Sequence, residues 1–211
     1  MVCSNIITVG LSGGVASGKS LVLQMFMNLG AYTIDCDLLS REAVIPCSKA
    51  WWEVVRLFGS DTDTDTDIVK RDLEIDRKKL RRIVFGDARK RAILEEIIHP
   101  EVRRKCVERI DAIKKIESEQ TALVVVSVPL LIETGMQSEF DKVIIVYASE
   151  EIQIRRVMER EEITRADAEK MIRLQMPLKE KLRFADIVIT NEGTWQETEK
   201  QVRTAFATLF A

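Results

Sequence analysis

The chain is short of several residue types, and each shortage narrows what it can be. Its 211 residues include one histidine, His99, and four cysteines. Cys3, Cys36, Cys47 and Cys106 form no C-x-x-C pair and no zinc-type spacing, so neither a disulfide framework nor a structural zinc site is expected. Single scattered thiols fit a reducing compartment. No basic segment leads into a long apolar run near the start, and no stretch reaches the roughly eighteen apolar residues of a membrane span. A cytoplasmic protein with no membrane span is expected. Charge of one sign is lacking too. The 32 basic and 34 acidic residues leave a net −2, which exerts no global pull toward nucleic acid. Aromatic residues are only 6%, but 46% hydrophobic and 31% charged residues are ordinary for a globular domain able to bury a core.

What is present begins at Ile6-Ile7-Thr8-Val9-Gly10-Leu11, an apolar β-branched run. It leads straight into Gly13-Gly14-Val15-Ala16-Ser17-Gly18-Lys19-Ser20. This matches G-x-x-x-x-G-K-[ST], and an amphipathic stretch with Leu21, Val22, Met25, Phe26 and Leu29 follows. Strand, loop and helix in that order are what a phosphate-binding loop requires. Glycines let the backbone wrap an anion, while successive N–H groups and the positive helix end face it. Lys19 can then reach the β- and γ-phosphates of a nucleotide, and the Ser20 hydroxyl can hold Mg²⁺.

Strands are expected over Ile6–Leu11, Ala31–Asp35, Ala122–Val128, Lys142–Tyr147 and Asp186–Thr190. Their near-continuous Val/Ile content suits a parallel sheet buried on both faces. Helices are expected over Lys19–Asn28, Asp37–Val44, Ser48–Leu57, Arg77–Phe85, Ala88–Ile98, Glu101–Ile116, Glu150–Arg160, Thr164–Gln175 and Thr194–Leu209. The fold class is therefore α/β, a five-stranded parallel sheet flanked by helices. The nucleotide core takes in about 1–36, 121–149 and 185–211, a helical insertion about 37–120, and a lid about 150–184. From Lys70 to Lys105 thirteen basic residues face seven acidic ones. That run reads either as a solvated helical face or as a surface for a phosphorylated second substrate. The Asp61–Asp67 repeat of Asp and Thr has Thr66 where a calcium loop needs Gly, and Asp72 where it needs Glu. It is expected to be a solvated loop without metal.

Further absences sort the phosphate-loop classes. No D-x-x-G occurs, and none of Asn5, Asn28 and Asn191 begins N-K-x-D, which excludes a GTPase switch. The strand over Leu123–Val128 runs into Pro129 rather than Asp-Glu, unlike a motor-type ATPase. A small-molecule kinase remains, with a bare ATP-binding module as the reading from another class. Ile34-Asp35-Cys36-Asp37 puts two carboxylates at the carboxyl end of a strand, where open α/β sheets bind ligands. Asp35 could accept the acceptor's proton or belong to the metal shell. Asp37 could do similar work or simply cap a helix.

Taken together, Gly10–Ser20, Ile34-Asp35-Cys36-Asp37 and Arg41 resemble the dephospho-coenzyme A kinase family of phosphate-loop kinases. Ile98-His99-Pro100-Glu101-Val102 is similar to its His-Pro segment, and Val128-Pro129-Leu130-Leu131-Ile132-Glu133 to its Pro-Leu-Leu motif. Gln153-Ile154-Arg155-Arg156 with Arg160 resembles its lid. Gln175, Ala185-Asp186 and Asn191-Glu192-Gly193 resemble its closing segment. The departures are mild, Leu21 standing where Thr commonly follows the Ser.

The resemblance implies ATP and Mg²⁺ as cofactors and dephospho-coenzyme A as acceptor, with nucleic acid no partner and a monomer or weak homo-oligomer expected. It implies Asp35, Lys19, Arg156 and Arg160 as catalytic residues. Gly13, Gly14, Val15, Ala16, Ser17, Gly18, Lys19 and Ser20 would hold ATP, with Asn191 and Gly193 against the nucleotide base. Asp35, Asp37, Arg41, His99, Pro129 and Glu133 would line the acceptor pocket, and Ser20 would take the metal. Plainer readings stand beside some of these. His99 before Pro100 also suits a helix start. Asn191 and Gly193 also suit a turn. Gln153, Arg156 and Arg160 share one helix face, where the arginines repel each other unless an anion sits between them.

Overall fold

The computed structural model describes residues 6–59, 68–84, 87–117 and 120–210. The Asp61–Asp67 repeat and Cys3 lie outside the described residues. Strands are β1 (Ile6–Gly13), β2 (Tyr32–Asp35), β3 (Ala122–Ser127), β4 (Lys142–Tyr147) and β5 (Ile187–Thr190). They form one sheet in the order β2-β3-β1-β4-β5, every neighbouring pair parallel. β3 is buried at every position, as its unbroken apolar sequence requires of a strand covered on both faces. The order places β1 in the middle, flanked by β3 on one side and β4 on the other. The chain leaves β1 for a strand on one side and later returns to the other, so a crevice opens at the carboxyl ends where the order reverses.

Contacts divide the chain into two compact units, one running through Asp35 and again from Ile110, the other spanning Cys36–Arg109. The first holds the sheet with α1 (Lys19–Asn28), α6 (Glu150–Glu161), α7 (Arg165–Arg173), α8 (Leu178–Lys181) and α9 (Trp195–Leu209). α1 buries Val22, Met25 and Phe26 at helical spacing against Val9, Leu11, Leu123, Val125, Ile144 and Val146 of the sheet, joined by Val202 and Ala205 of α9. α9 opens on a full capping box between Thr194 and Glu197. Thr164 caps α7 by accepting from the Asp167 N–H, as the Thr-x-x-Asp spacing suggests.

The second unit contains α2 (Cys36–Ala43), α3 (Lys49–Phe58), α4 (Arg77–Val84) and most of α5 (Ala88–Ile116). Its core is Val44, Ala50, Trp51, Val54, Phe58, Ile68, Ile75 and Leu80, with Ile93, Leu94, Ile97 and Ile98 packed against it. The Trp51 indole N–H donates to the Leu73 carbonyl at 2.8 Å, so the largest of these side chains is also polar-satisfied. Among the described residues this unit has one isolated bridge, Val69 with Ile75, and no named strand.

The expected break at His99-Pro100 does not occur. One helix of 29 residues runs from Ala88 to Ile116 with Pro100 inside it. Proline deletes one N–H and costs a helix interior about 3 kcal/mol. Buried or half-buried Ile93, Leu94 and Ile97 before it, and Cys106 and Ile113 after it, anchor the helix on both sides. Packing overrides the local stop signal. Three short elements escape the sequence signals altogether: α8, a 3-10 turn at Met136–Glu139 and another at Leu182–Phe184. Single turns show no periodicity. Among the described residues no helix is long and apolar enough to cross a membrane.

Candidate active site

β1, buried from Val9 to Gly13, delivers the backbone to the phosphate loop at the middle of the sheet. Ala16 (φ 54°) and Gly18 (φ 102°) both take left-handed conformations, turning successive amides inward as an anion nest does. A side chain at Gly18 would be strained by the left-handed backbone, and its Cβ would run into the buried Asn191 amide nitrogen. Gly18 is also the N-cap of α1, so no side chain satisfies that helix end and no acidic residue lies in its first turn. The positive end is left for an exogenous anion. The Lys19 ammonium sits on the loop, donating to the Gly14 carbonyl at 2.9 Å and the Gly13 carbonyl at 3.4 Å. The Ser17 hydroxyl oxygen is buried without a hydrogen-bond partner, while Ser20 is exposed in the first turn of α1. These features fit a polyphosphate chain.

The loop is held from outside by α6 and by the segment after β5. Arg156 donates through Nη1 to the carbonyls of Ala16 at 3.3 Å and Ser17 at 3.5 Å, and through Nη2 to the Asn191 carbonyl at 2.9 Å. Asn191, 6% exposed, donates its amide to the Ser17 carbonyl at 2.8 Å and accepts from the Thr198 hydroxyl at 3.1 Å. Gln153 is buried, donating to the Ala148 carbonyl at 2.9 Å. A Cβ on Gly14 would run into its Oε1. Gly193 leaves room for the Glu197 carboxylate, which a Cβ there would meet and which completes the α9 capping box.

Asp35 ends β2 level with Ser127 of β3, which is itself level with Leu11 of β1. Two strand spacings, about 10 Å, separate Asp35 from Leu11 in the sheet. Asp35 and the start of the loop thus lie at the same carboxyl edge. The Pro129 carbonyl accepts from the Ser12 hydroxyl at 3.3 Å. Glu133 turns one carboxylate oxygen to the Lys181 ammonium at 2.8 Å and the Met176 N–H at 3.2 Å.

Asp37, Arg41 and His99 belong to the second unit and are all exposed. Asp37 lies inside the first turn of α2 rather than at an N-cap, and Arg41 lies in the last turn of the same helix. The Arg41 carbonyl accepts from Arg77 at 3.4 Å. Burial, and then the Arg41 charge, lower the Arg77 guanidinium below its usual range, so these like charges lie close together. His99 stands on the uninterrupted helix α5.

Of the two arginines of α6, Arg156 donates to loop carbonyls, and Arg160 pairs with Glu161 at 2.9 Å with its side chain 55% exposed. Arg165 is the better-compensated arginine of this region, bridging Glu151 and Glu169, which raises its affinity for its proton and lowers that of Glu151. α6 and α7 close over their own apolar centre of Ile154, Val157 and Ala168, against which Val15 and Ala16 of the loop also pack. Sequence reasoning missed Lys181 and Thr198. Lys181 lies in one turn of helix between charged neighbours, with nothing in the pattern to mark it as inward-facing.

A family model described as dephospho-CoA kinase matches residues 7–197. A dephospho-CoA kinase of Geobacillus kaustophilus is 42% identical over 93% of both chains, and one of Geobacter metallireducens is 43% identical over 93% of both. A solved structure from Thermus thermophilus superposes with a TM-score of 0.77 at 30% identity, over 98% of this chain and 99% of that one. The phosphate loop, the aspartate at the edge of the sheet and this likeness along nearly the whole length agree. The chain belongs to the dephospho-CoA kinase family.

Proposed function

We propose that the protein transfers the terminal phosphoryl group of ATP to the 3′-hydroxyl of dephospho-coenzyme A, giving coenzyme A and ADP. This is the last step of coenzyme A biosynthesis. The observation that carries the reading is Asp35 at the same carboxyl edge as the phosphate loop, in a member of this family. In the transfer the bond from the terminal phosphorus to the bridging oxygen of ADP breaks. A bond from that phosphorus to the acceptor oxygen forms, and Asp35 takes the hydroxyl proton. Lys19 leaves the Gly13 and Gly14 carbonyls for the phosphates.

Arg156 acts from the far side of the loop, and Arg160 supplies charge from the exposed face of α6, where a planar guanidinium fork suits a phosphoryl group. Ser20 would hold Mg²⁺, which neutralises phosphate charge when bound. Among the described residues no cluster of three or more His, Cys, Asp or Glu could hold a metal by itself. Asp37, Arg41, His99, Pro129 and Glu133 serve the acceptor in this reading. The chain is divided as a nucleotide core (about 1–36, 121–149, 185–211), an acceptor insertion (about 37–120) and a lid (about 150–184) that excludes water.

The test is a coupled ADP-release assay with dephospho-coenzyme A, AMP, CMP and shikimate offered in turn. Turnover with dephospho-coenzyme A alone is expected. Faster turnover with AMP or CMP would make this a nucleotide kinase, and no turnover with any acceptor would leave an ATP-binding module.

A further inference from the structure

The lysine the sequence did not reveal has an unusual place. The Lys181 side chain is 0% exposed, and its ammonium donates to the Glu133 carboxylate at 2.8 Å and to the carbonyls of Gly13 and Pro129, each at 3.5 Å. Every donor of the ammonium thus has an oxygen partner. Taking an ammonium out of water costs several kcal/mol, and a buried ion pair is often no more stable than apolar residues of the same size. Stability alone therefore gives no reason for lysine here where methionine would fill the space. The contacts supply a different reason. Gly13 is the first residue of the phosphate loop and Pro129 lies two residues past the end of β3. Glu133 also accepts from the Met176 N–H, tying in the chain that enters α8. Leu178 of the same short helix packs beside Gly14, with its Cδ2 placed 3.4 Å from where a Cβ would stand.

The Gly13 carbonyl is shared by two lysines, Lys19 at 3.4 Å and Lys181 at 3.5 Å. Once Lys19 turns to the phosphates, that carbonyl loses one cationic partner inside the protein, where an under-satisfied carbonyl is costly. We infer that Lys181 is a positioning residue for the phosphate loop: it holds the Gly13 carbonyl while Lys19 is engaged by the nucleotide, with Glu133 as its counter-charge. Lys181 touches neither ATP nor acceptor. It acts on phosphate affinity through the loop, and so couples the chain entering α8 to the nucleotide site. The inference rests on the reading of Gly13–Ser20 as the nucleotide site.

The experiment compares the full-length wild type with Lys181→Met/Glu133→Gln, Glu133→Gln and Lys19→Ala. Lys181→Met alone would strand the Glu133 charge and risk the fold; the double variant removes both charges at nearly constant volume. ADP affinity is measured by calorimetric titration, thermal unfolding is recorded, and KM is measured for ATP and for dephospho-coenzyme A. In the double variant ADP affinity should fall, and the ATP KM rise, by about tenfold through loop misplacement. Any change in the dephospho-coenzyme A KM should be the same in Glu133→Gln as in the double variant, because Glu133 and not Lys181 is the acceptor candidate. Glu133→Gln strands the Lys181 charge by the same argument, but it keeps the ammonium and an oxygen acceptor beside it, so in the folded variant ADP affinity should match wild type. Wild-type ADP affinity and ATP KM in a folded double variant would overturn the inference, as would a tenfold loss of ADP affinity in a folded Glu133→Gln. Lys19→Ala separates the two levels. Wild-type turnover there sinks the nucleotide-site reading itself, whereas an impaired Lys19→Ala beside an unaffected double variant sinks the role of Lys181 alone.

Discussion

The phosphate end of the sheet and the helical unit Cys36–Arg109 are built in opposite ways. Among the described residues, the buried polar or charged side chains are Ser12, Ser17, Ser127, Gln153, Lys181, Asn191 and Thr198, and all belong to the sheet unit. The helical unit buries apolar side chains, and it carries its candidate acceptor residues Asp37, Arg41 and His99 on its surface. Buried polar networks are costly unless nearly every member is satisfied, and when satisfied they fix geometry. A phosphate chain about to lose a phosphoryl group needs donors that do not reorganise during transfer. Surface arginines and a surface histidine can adjust to an acceptor instead. The difference predicts that substitutions at the sheet end act on turnover and nucleotide affinity, and those in the helical unit on the acceptor KM.

The largest effect is expected at Asp35, where the two kinds of function would meet. Asp35→Asn is nearly isosteric but takes no proton, so turnover should fall by about a hundredfold to ten-thousandfold, the usual range for a lost general base. Calorimetric ADP affinity should hardly move. A collapse of nucleotide affinity with the loss of turnover would make Asp35 chiefly a metal-shell residue and move it wholly to the nucleotide side of the comparison.

The contrast also explains what could be read from the chain. β1, the loop and α1 were legible because a long apolar run, a glycine-rich turn and a 3.6-residue period follow one another, and each signal is local. The strand ends shifted by only a residue or two; β1, for instance, extends to Gly13. The helical unit was legible as helices but not at Pro100, where burial of α5 on both sides outweighs the local break. At the site the residue types were visible and their directions were not. Arg156 turns to the carbonyls of Ala16 and Ser17 and Glu133 to Lys181, partners 139 or 140 and 48 residues away in sequence. Spacing along one helix cannot report such pairings. Lys181 was invisible for the same reason.

Arg156 offers the next effect in size, and it sharpens the comparison from within α6. Arg156→Lys keeps the charge but loses the fork that reaches the carbonyls of Ala16 and Asn191 together. Turnover should drop by about tenfold or more through loop misplacement, with a rise in ATP KM. Arg160→Ala removes an exposed side chain whose pairing with Glu161 is worth little to stability, so its loss should appear in turnover alone. Equal losses of nucleotide affinity in both variants would show that the two arginines act as one unit.

In the helical unit a smaller effect is expected, confined to the other substrate. Arg41 lies beside Arg77, whose guanidinium is already partly desolvated next to a like charge, an arrangement that favours an anion. Arg41→Ala should raise the KM for dephospho-coenzyme A by about tenfold, the loss of one charge-assisted contact of about 1.5 kcal/mol. The ATP KM should be unchanged. A shift in the ATP KM as large as that in the acceptor KM would break the division between the two regions.

The smallest effect is expected far from the loop, at the opposite end of the same strands. The Asp141 carboxylate, just before β4, accepts from the Thr8 N–H at 2.8 Å and the Thr8 hydroxyl at 2.7 Å, pinning β4 to β1 where the strands begin. Those two bonds hold its pKa below the usual carboxylate value. A carboxyl lowered in the folded state adds stability that is fully present above its unfolded pKa, about 3.9, and is lost as pH falls through the folded value. Asp141→Asn should cost about 1 kcal/mol near neutral pH, or about 3 °C in thermal midpoint for a domain of this size. The gap from wild type should close below about pH 4. Both KM values and turnover should stay as they are. A kinetic defect in Asp141→Asn would mean that the register of β1 and β4 is transmitted to the loop, and the phosphate end could no longer be treated as a site fixed by its own buried polar contacts.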